Sequence, residues 1–270
     1  MKICRNNLIG LLLLACCSHF FGCTPPPMER IVIVGSTTMA PLLERLAADY
    51  QRPGQEHIMI ESPGSLAGIR ALIQNACDMA ASSVPVSSEL IGEAKKNNVH
   101  LKAFPVCRDR IVPIVNTANP VNQLPVTALK NIFTGHTSSW LSSGWTDSPI
   151  QPVVRQTSSG TCRMWEQMIL DDAAPSSPHI PVSSNSGVLA AVAENRYAIG
   201  YVSHAYLNLE VKPVQVTGND TEARLERTLF LYVNTHRFSK KIKAFLTYLH
   251  SGSARKIIAD SGFFPLPHMK

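Results

Sequence analysis

The chain has 270 residues, of which 45% are hydrophobic and 16% charged, and its formal net charge is +6. This length allows two lobes, and the composition is that of a folded globular protein rather than a disordered chain. The densest basic clusters, Lys95-Lys96 and Lys240-Lys241, lie on predicted helix surfaces. They form no run typical of nucleic-acid binding, so we expect no nucleic-acid partner.

The N-terminus is typical of a secretory signal peptide. Lys2 and Arg5 precede an apolar run at residues 8–17. This run is about half the ~20 residues that a membrane-spanning helix needs. We therefore expect an exported protein that no later segment anchors by crossing the bilayer.

The end of this leader resembles a bacterial lipobox, Leu13-Leu14-Ala15-Cys16. It predicts a signal peptide over residues 1–15, a lipidated Cys16, and a linker over residues 16–28. Gly22-Cys23 is the alternative lipidation site, and cleavage without lipidation is a third reading. With either cysteine modified, a lipid anchor would attach the protein to the membrane.

Three cysteines lie in the body of the chain: Cys77, Cys107 and Cys162. Their spacing matches no zinc pattern, and three thiols permit at most one internal disulfide. Whether Cys77 and Cys107 pair is left open by the sequence, and Cys162 is interpreted as a helix-packing thiol. We expect no metal site and no cofactor.

Strands and helices alternate along the body. Apolar stretches predict strands at residues 31–34, 58–60, 78–81, 111–115, 153–154, 198–202 and 229–233. Helical spacing and capping residues predict helices at 41–50, from 65, from 87 or 88 to about 96, at 129–133, from 159, at 187–194 and at 242–249. The alternation predicts an α/β protein with parallel sheets and helices on both faces.

Three of these strands run into turns rich in Ser, Thr and Gly: Gly35-Ser36-Thr37-Thr38, Gly64-Ser65 and Ser158-Ser159-Gly160-Thr161. A helix start exposes unpaired N–H groups and the positive end of the helix dipole, which favour an anion. In open α/β sheets, ligands bind beyond the carboxyl ends of the strands, where these turns lie. Arg155 is the one strong cation in the turns, so we expect reversible binding of a small oxyanion rather than catalysis.

The same residues resemble a known family. Gly35–Thr38 with Pro41, Gly64-Ser65 with Gly68-Ile69, and Arg155 with Ser159-Gly160-Thr161 are similar to the three ligand loops of PstS-type phosphate-binding proteins of bacterial ABC importers. Further matches follow in the expected order: Asn116 with Asn119-Pro120-Val121, Ile132-Phe133-Thr134-Gly135 with Trp140, residues 198–202, and Gly262-Phe263. The resemblance covers essentially the whole chain after Arg30.

This resemblance implies a two-lobed periplasmic-binding-protein fold (type II-like) with a hinge and an inter-lobe ligand cleft. Lobe 1 would hold residues 29–108 plus 228–270, and lobe 2 residues 109–227. The implied partners of this monomer are inorganic phosphate and the membrane permease of an ABC transporter. The implied phosphate ligands are Ser36, Thr37, Thr38, Ser65, Ser83, Arg155, Ser159, Gly160 and Thr161.

One position departs from the family pattern. After Ser82, relatives commonly carry Asp and others Arg, whereas this chain has Ser83. An aspartate could accept the proton of hydrogen phosphate and repel fully ionised anions, but a serine hydroxyl gives no such charge-based discrimination. Sulfate or another oxyanion is therefore an alternative ligand, and an anion sensor not coupled to transport is an alternative role.

An enzyme is not expected. The sequence has no Gly-x-Ser-x-Gly nucleophile elbow and no clustered Asp and His residues of phosphatase type. No catalytic residue is therefore assigned.

The charged run Arg108-Asp109-Arg110 is interpreted as a local ion-pair cluster.

Overall fold

The computed structural model of the chain describes residues 30–51, 57–176, 178–218 and 225–267. The predicted signal peptide (1–15), the linker (16–28) and both candidate lipidation sites, Cys16 and Cys23, lie outside these residues. Within the described ranges, no helix is long and apolar enough to cross a membrane.

The described residues form an alternation of strands and helices. The strands are β1 Arg30–Gly35, β2 His57–Glu61, β3 Met79–Ser82, β4 Leu101–Asn116, β5 Gln123–Pro125, β6 Gln151–Arg155, β7 Ile180–Val182, β8 Ala198–Ser203, β9 Val211–Pro213, β10 Gln215–Thr217, β11 Glu226–Asn234 and β12 Phe264–Pro265. The helices are α1 Ala40–Tyr50, α2 Ser65–Ile73, α3 Ser88–Lys96, α4 Val126–Phe133, α5 Gly160–Ile169, α6 Asn185–Glu194, α7 Lys240–Tyr248 and α8 Gly252–Asp260.

The main sheet has the strand order β2-β1-β3-β11-β4-β8-β6-β7, with β9 and β12 also paired to β4. Its two ends are parallel, as expected: β1 pairs with β2 and β3, and β6 pairs with β7 and β8. The expectation of wholly parallel sheets is wrong at the centre. There β11 runs antiparallel to β3 and β4, and β4 runs antiparallel to β8.

Strand β4 is much longer than predicted, with 16 residues in place of the expected 111–115. Its first part pairs with β11, and its last part pairs with β8 and β9. The sequence obscures the first part because Pro105 and the charged residues 108–110 interrupt the apolar pattern. One continuous strand thus joins the two ends of the sheet.

The hydrophobic core divides at this strand. One large cluster packs residues such as Leu42 and Leu46 of α1 against Phe245 of α7, and a smaller one surrounds Ile69 of α2. Two further clusters, which contain Trp165 and Val188, draw only on residues 111–225. Separate cores on each side of β4 give the two-lobed α/β fold that the sequence predicts.

The three body cysteines are free and buried. Cys107 lies in the core cluster of α1 and Cys77 in that of α2, so the two thiols pack in different clusters and do not pair. Cys162 lies on α5 and packs against the aromatic core beside Trp165, as the sequence interpretation expects. Burial raises the pKa of Cys162 to about 11, which keeps it protonated at neutral pH.

Candidate anion-binding site

The three Ser/Thr/Gly turns meet in space. Each follows the carboxyl end of a strand: β1, β2 and β6. Backbone hydrogen bonds join the turns, because Gly64 donates to the carbonyl of Gly35 at 2.8 Å and Leu66 donates to the carbonyl of Ser158 at 3.3 Å. The predicted convergence of these chain segments is therefore present in the structure.

Buried hydroxyl groups line this meeting point. The Oγ of Ser83 lies 3.2 Å from the Oγ atoms of Ser36 and Ser65. The Oγ1 atoms of Thr38 and Thr161 are 3.0 Å apart. All five side chains belong to almost fully buried residues, and the last contact crosses from one lobe to the other.

Helix α5 begins inside this hydroxyl cluster. Ser159 is its N-cap, and its Oγ accepts from the backbone N–H groups of Thr161 and Cys162. A Cβ atom on Gly160 would lie only 2.7 Å from the Oγ atoms of both Ser65 and Ser83. Glycine at this position therefore lets the hydroxyls of the other lobe approach the helix start closely.

Arg155 brings a positive charge to the same place. Its Nη2 donates to the Oγ1 of Thr37 and to the carbonyl of Ser183, both at 2.8 Å. The residue is buried, yet its Nε and Nη1 atoms have no hydrogen-bond partner among the described residues. Because a buried, unpaired N–H group is costly, these two atoms favour an added acceptor.

Burial, with the nearby Arg227 guanidinium acting in the same direction, lowers the pKa of Arg155 to about 10. The guanidinium is therefore still charged at neutral pH. A buried cation with free N–H groups beside a cluster of hydroxyls is suited to hold a small anion.

A second buried arginine, Arg227, was not predicted. It lies opposite Asp109 in the register of β11 and β4, and its Nε and Nη2 donate to the Oδ2 of Asp109 at 3.0 and 2.7 Å. The side chains of this pair are only 1% and 0% exposed. Its Nη1 donates to the Oγ1 of Thr161 at 3.0 Å, which places Arg227 at the edge of the site.

The interpretation of residues 108–110 as one local ion-pair cluster is wrong for Asp109. Arg108 and Arg110 both pair with Glu226 near the surface, at 3.2 Å each. Asp109 instead points to the interior and pairs with Arg227. Alternation of side chains along a strand explains the split, and this period of two was the signal that could have separated Asp109 from its neighbours.

Asn185, the first residue of α6, was missed as well. Its Nδ2 donates to the Oγ1 of Thr38 at 3.1 Å, and its residue is fully buried. The predicted helix starts two residues later, at Gly187, and therefore leaves Asn185 outside it. Among the described residues, His, Cys, Asp and Glu side chains form no group of three that could hold a metal ion.

Comparison with known proteins identifies the family of this chain. A family model described as a PBP superfamily domain matches residues 24–253. The chain belongs to the PBP superfamily. Among relatives in this superfamily, the phosphate-binding protein PstS of Borreliella burgdorferi is 22% identical over 279 residues, which cover 96% of this chain and 98% of the relative.

Solved PBP structures agree with the fold. A substrate-binding protein from Clostridium perfringens that was solved with bound phosphate has a TM-score of 0.79 and 24% identity, and the match covers 88% of this chain and 100% of that one. An ABC-type phosphate transport receptor from Vibrio cholerae has a TM-score of 0.70 and 29% identity over the same shares. The resemblance to PstS-type proteins is thus confirmed.

Proposed function

We propose that this protein binds inorganic phosphate outside the cytoplasm and delivers it to an ABC-type importer. The observation that carries the proposal is the buried, charged Arg155 with two unpaired N–H groups, next to hydroxyls from three converging turns. The relative named PstS and the Vibrio cholerae phosphate transport receptor support phosphate as the ligand. The role is binding and transfer, without catalysis.

The proposed ligand residues can account for micromolar affinity for phosphate. Micromolar affinity corresponds to about 8 kcal/mol, and hydrogen bonds to charged groups contribute about 1.5–3 kcal/mol each. Several such bonds suffice even after the costs of dehydration and ordering. The proposed set comprises Ser36, Thr37, Thr38, Ser65, Ser83, Arg155, Ser159, Gly160 and Thr161.

We place lobe 1 at residues 29–108 plus 228–270 and lobe 2 at 109–227. The division of the core supports these limits, because its clusters change between Cys107 and Ile111 and again between Leu225 and Leu229. The proposed ligands come from both lobes. Phosphate would therefore bind the closed arrangement better than an open one and shift the population toward closure.

We propose the following cellular setting for the protein. The protein is exported as a monomer and lipid-anchored to the bacterial cell envelope through Cys16, with Cys23 as the alternative. It passes phosphate to a membrane permease. The leader pattern of residues 1–17 and the likeness to the ABC-type phosphate transport receptor of Vibrio cholerae support this setting.

Sulfate is the second candidate ligand, and Ser83 is the observation that favours it. The Ser83 hydroxyl lies in the middle of the hydroxyl cluster, where it can donate to any oxyanion. The carboxylate of Asp109 is bonded to Arg227 and Ser203 instead. Position 83 therefore carries no negative charge that would repel a fully ionised anion such as sulfate.

Calorimetric titration of the purified protein with phosphate and with sulfate tests the assignment. We expect phosphate to bind with micromolar or tighter affinity and sulfate to bind more weakly. A clear preference for sulfate would overturn phosphate as the ligand. Binding of neither anion would overturn the anion-binding function itself.

Gly160→Ala tests the closeness of the two lobes at this site. The new methyl group would lie 2.7 Å from the Ser65 and Ser83 hydroxyls, which must rotate or move apart. We expect phosphate affinity to fall at least about tenfold, the equivalent of one displaced hydrogen bond to the anion. The matched control is Gly92→Ala on α3, where the added methyl meets open space and affinity should not change. Equal affinities of both variants would contradict the proposed ligand set.

A further inference from the structure

Ser203 connects two chains of buried hydrogen bonds that end at the site. It is the last residue of β8 and is fully buried. Its backbone N–H donates to the Oδ1 of Asn185 at 3.1 Å, and its Oγ donates to the Oδ1 of Asp109 at 2.7 Å. Neither partner belongs to the ligand set proposed above.

The first chain runs through Asn185 to Thr38. Because the Oδ1 of Asn185 accepts from a backbone N–H, the orientation of its amide is determined. Its Nδ2 is therefore the atom that faces the Oγ1 of Thr38, at 3.1 Å. Nδ2 can only donate, so the oxygen of Thr38 must accept this bond.

The second chain runs through Asp109 and Arg227 to Thr161. Asp109 bonds two nitrogens of Arg227 through its Oδ2 and thereby aims the third, Nη1, at the Oγ1 of Thr161. A guanidinium has no acceptor atom. The oxygen of Thr161 must accept as well.

These two contacts determine which way the hydroxyl protons can point. The oxygens of Thr38 and Thr161 each accept an N–H bond, and they lie 3.0 Å from each other. Only one of the two hydroxyls can donate to the other, so the second proton must be directed to a further acceptor. The oxygens of a tetrahedral anion are such acceptors.

We propose that Asn185 and Arg227 are positioning residues that direct one hydroxyl proton of the Thr38–Thr161 pair to the anion, with Ser203 and Asp109 holding them in place. This inference rests on the proposed phosphate-binding function. It adds a detail to that function: the hydroxyl pair presents a proton to an acceptor oxygen of the anion.

A double-mutant cycle on the first chain tests the proposal. Phosphate is titrated by calorimetry into the wild-type protein, Thr38→Val, Asn185→Ala and the double variant. We expect each single change to weaken binding about 10- to 100-fold and the double variant to bind within about twofold of Thr38→Val. Losses that multiply would overturn the proposal, because Asn185 would then not act through Thr38.

A second variant separates donor direction from packing. Asn185→Asp keeps the shape and the acceptor for Ser203, but it replaces the donor with an acceptor that attracts the Thr38 proton. We expect it to bind phosphate more weakly than Asn185→Ala, and wild-type affinity would overturn the proposal. Thermal unfolding without phosphate verifies that each variant is folded.

Asn119→Ala is the matched control. Asn119 is equally buried, and its Oδ1 likewise accepts from a backbone N–H, that of Val121. Its removal should leave phosphate affinity within about twofold of wild type, and a loss equal to that of Asn185→Ala would overturn the proposal. A wild-type protein that binds no phosphate would overturn the proposed function and this inference together, whereas multiplied losses overturn this inference alone.

Discussion

Replacing Arg155 with methionine is expected to weaken phosphate binding at least a hundredfold while the fold stays intact. Arg155 is buried and charged, and its Nε and Nη1 atoms have no partner among the described residues. Two charge-assisted bonds contribute about 3–6 kcal/mol together, and about 2.8 kcal/mol already corresponds to a hundredfold. Calorimetric titration with phosphate measures the loss. The phosphate affinity of Arg155→Lys should fall between those of the wild type and Arg155→Met, because lysine keeps the charge but not the planar guanidinium.

Without phosphate, the Arg155→Met variant should be at least as stable as the wild type. Burial lowers the pKa of Arg155 to about 10, well below the ordinary pKa of an exposed arginine, so the fold disfavours its charge. Between these two pKa values the unfolded chain binds more protons, and this destabilisation therefore diminishes as the pH rises through that window. At pH 8 it is fully present, so phosphate-free Arg155→Met should have a melting temperature at or above that of the wild type. Added phosphate should raise the melting temperature of the wild type alone.

Arg163→Met is the control for charge in general. Arg163 lies on α5, eight residues after Arg155, but its side chain is 51% exposed and pairs with Glu166 and Asp172. Its loss should change phosphate affinity less than threefold. Similar losses in the two variants would mean that the site responds to overall charge and not to the Arg155 guanidinium.

Asp109→Ala is expected to lower the free energy of unfolding by about 3–5 kcal/mol. The change leaves the Arg227 guanidinium buried without its carboxylate partner, which it now contacts through two nitrogens. For a chain of this size the melting temperature should fall by about 6–20 °C. Thermal and urea unfolding without phosphate measure the effect. Arg227→Met added to Asp109→Ala should recover much of the loss, because it removes the unpaired charge.

The control for this ion pair is Asp260→Ala. Asp260 pairs with Lys256 at 2.6 Å on α8, and the two side chains are 48% and 76% exposed. Water and salt screen such a pair, so its loss should cost no more than about 1 kcal/mol. An equal loss of unfolding free energy in both variants would show that burial does not make the Asp109–Arg227 pair more important for stability than an exposed pair.

The loops of the candidate site were predictable from the sequence because their signals are local. Each is a short apolar run followed within a few residues by Ser, Thr and Gly, and such runs form strands whose ends face one edge of the sheet. Ser87 and Ser159 were likewise expected at helix starts, and both cap their helices through side-chain hydrogen bonds.

Asp109, Asn185 and Arg227, which hold the threonines of the site, could not be predicted from local sequence patterns. Arg227 and Asp109 are 118 residues apart and meet only because β11 lies antiparallel to β4 in one particular register. Asn185 reaches Thr38 across 147 residues of sequence. No local pattern encodes these distances, and the antiparallel centre of the sheet was itself unexpected.

The division of the core has a consequence for biosynthesis. The first cluster joins Leu42 of α1 to Phe245 of α7 and Ile258 of α8, so its parts leave the ribosome at opposite ends of translation. At roughly 5–20 residues per second, the early part waits on the order of ten seconds or more for its late partners. The central segment, whose cores lie within residues 111–225, is complete sooner and can acquire its structure first. Nascent chains stalled once residues 111–225 have left the ribosome would therefore protect Trp165 from solvent before Leu42.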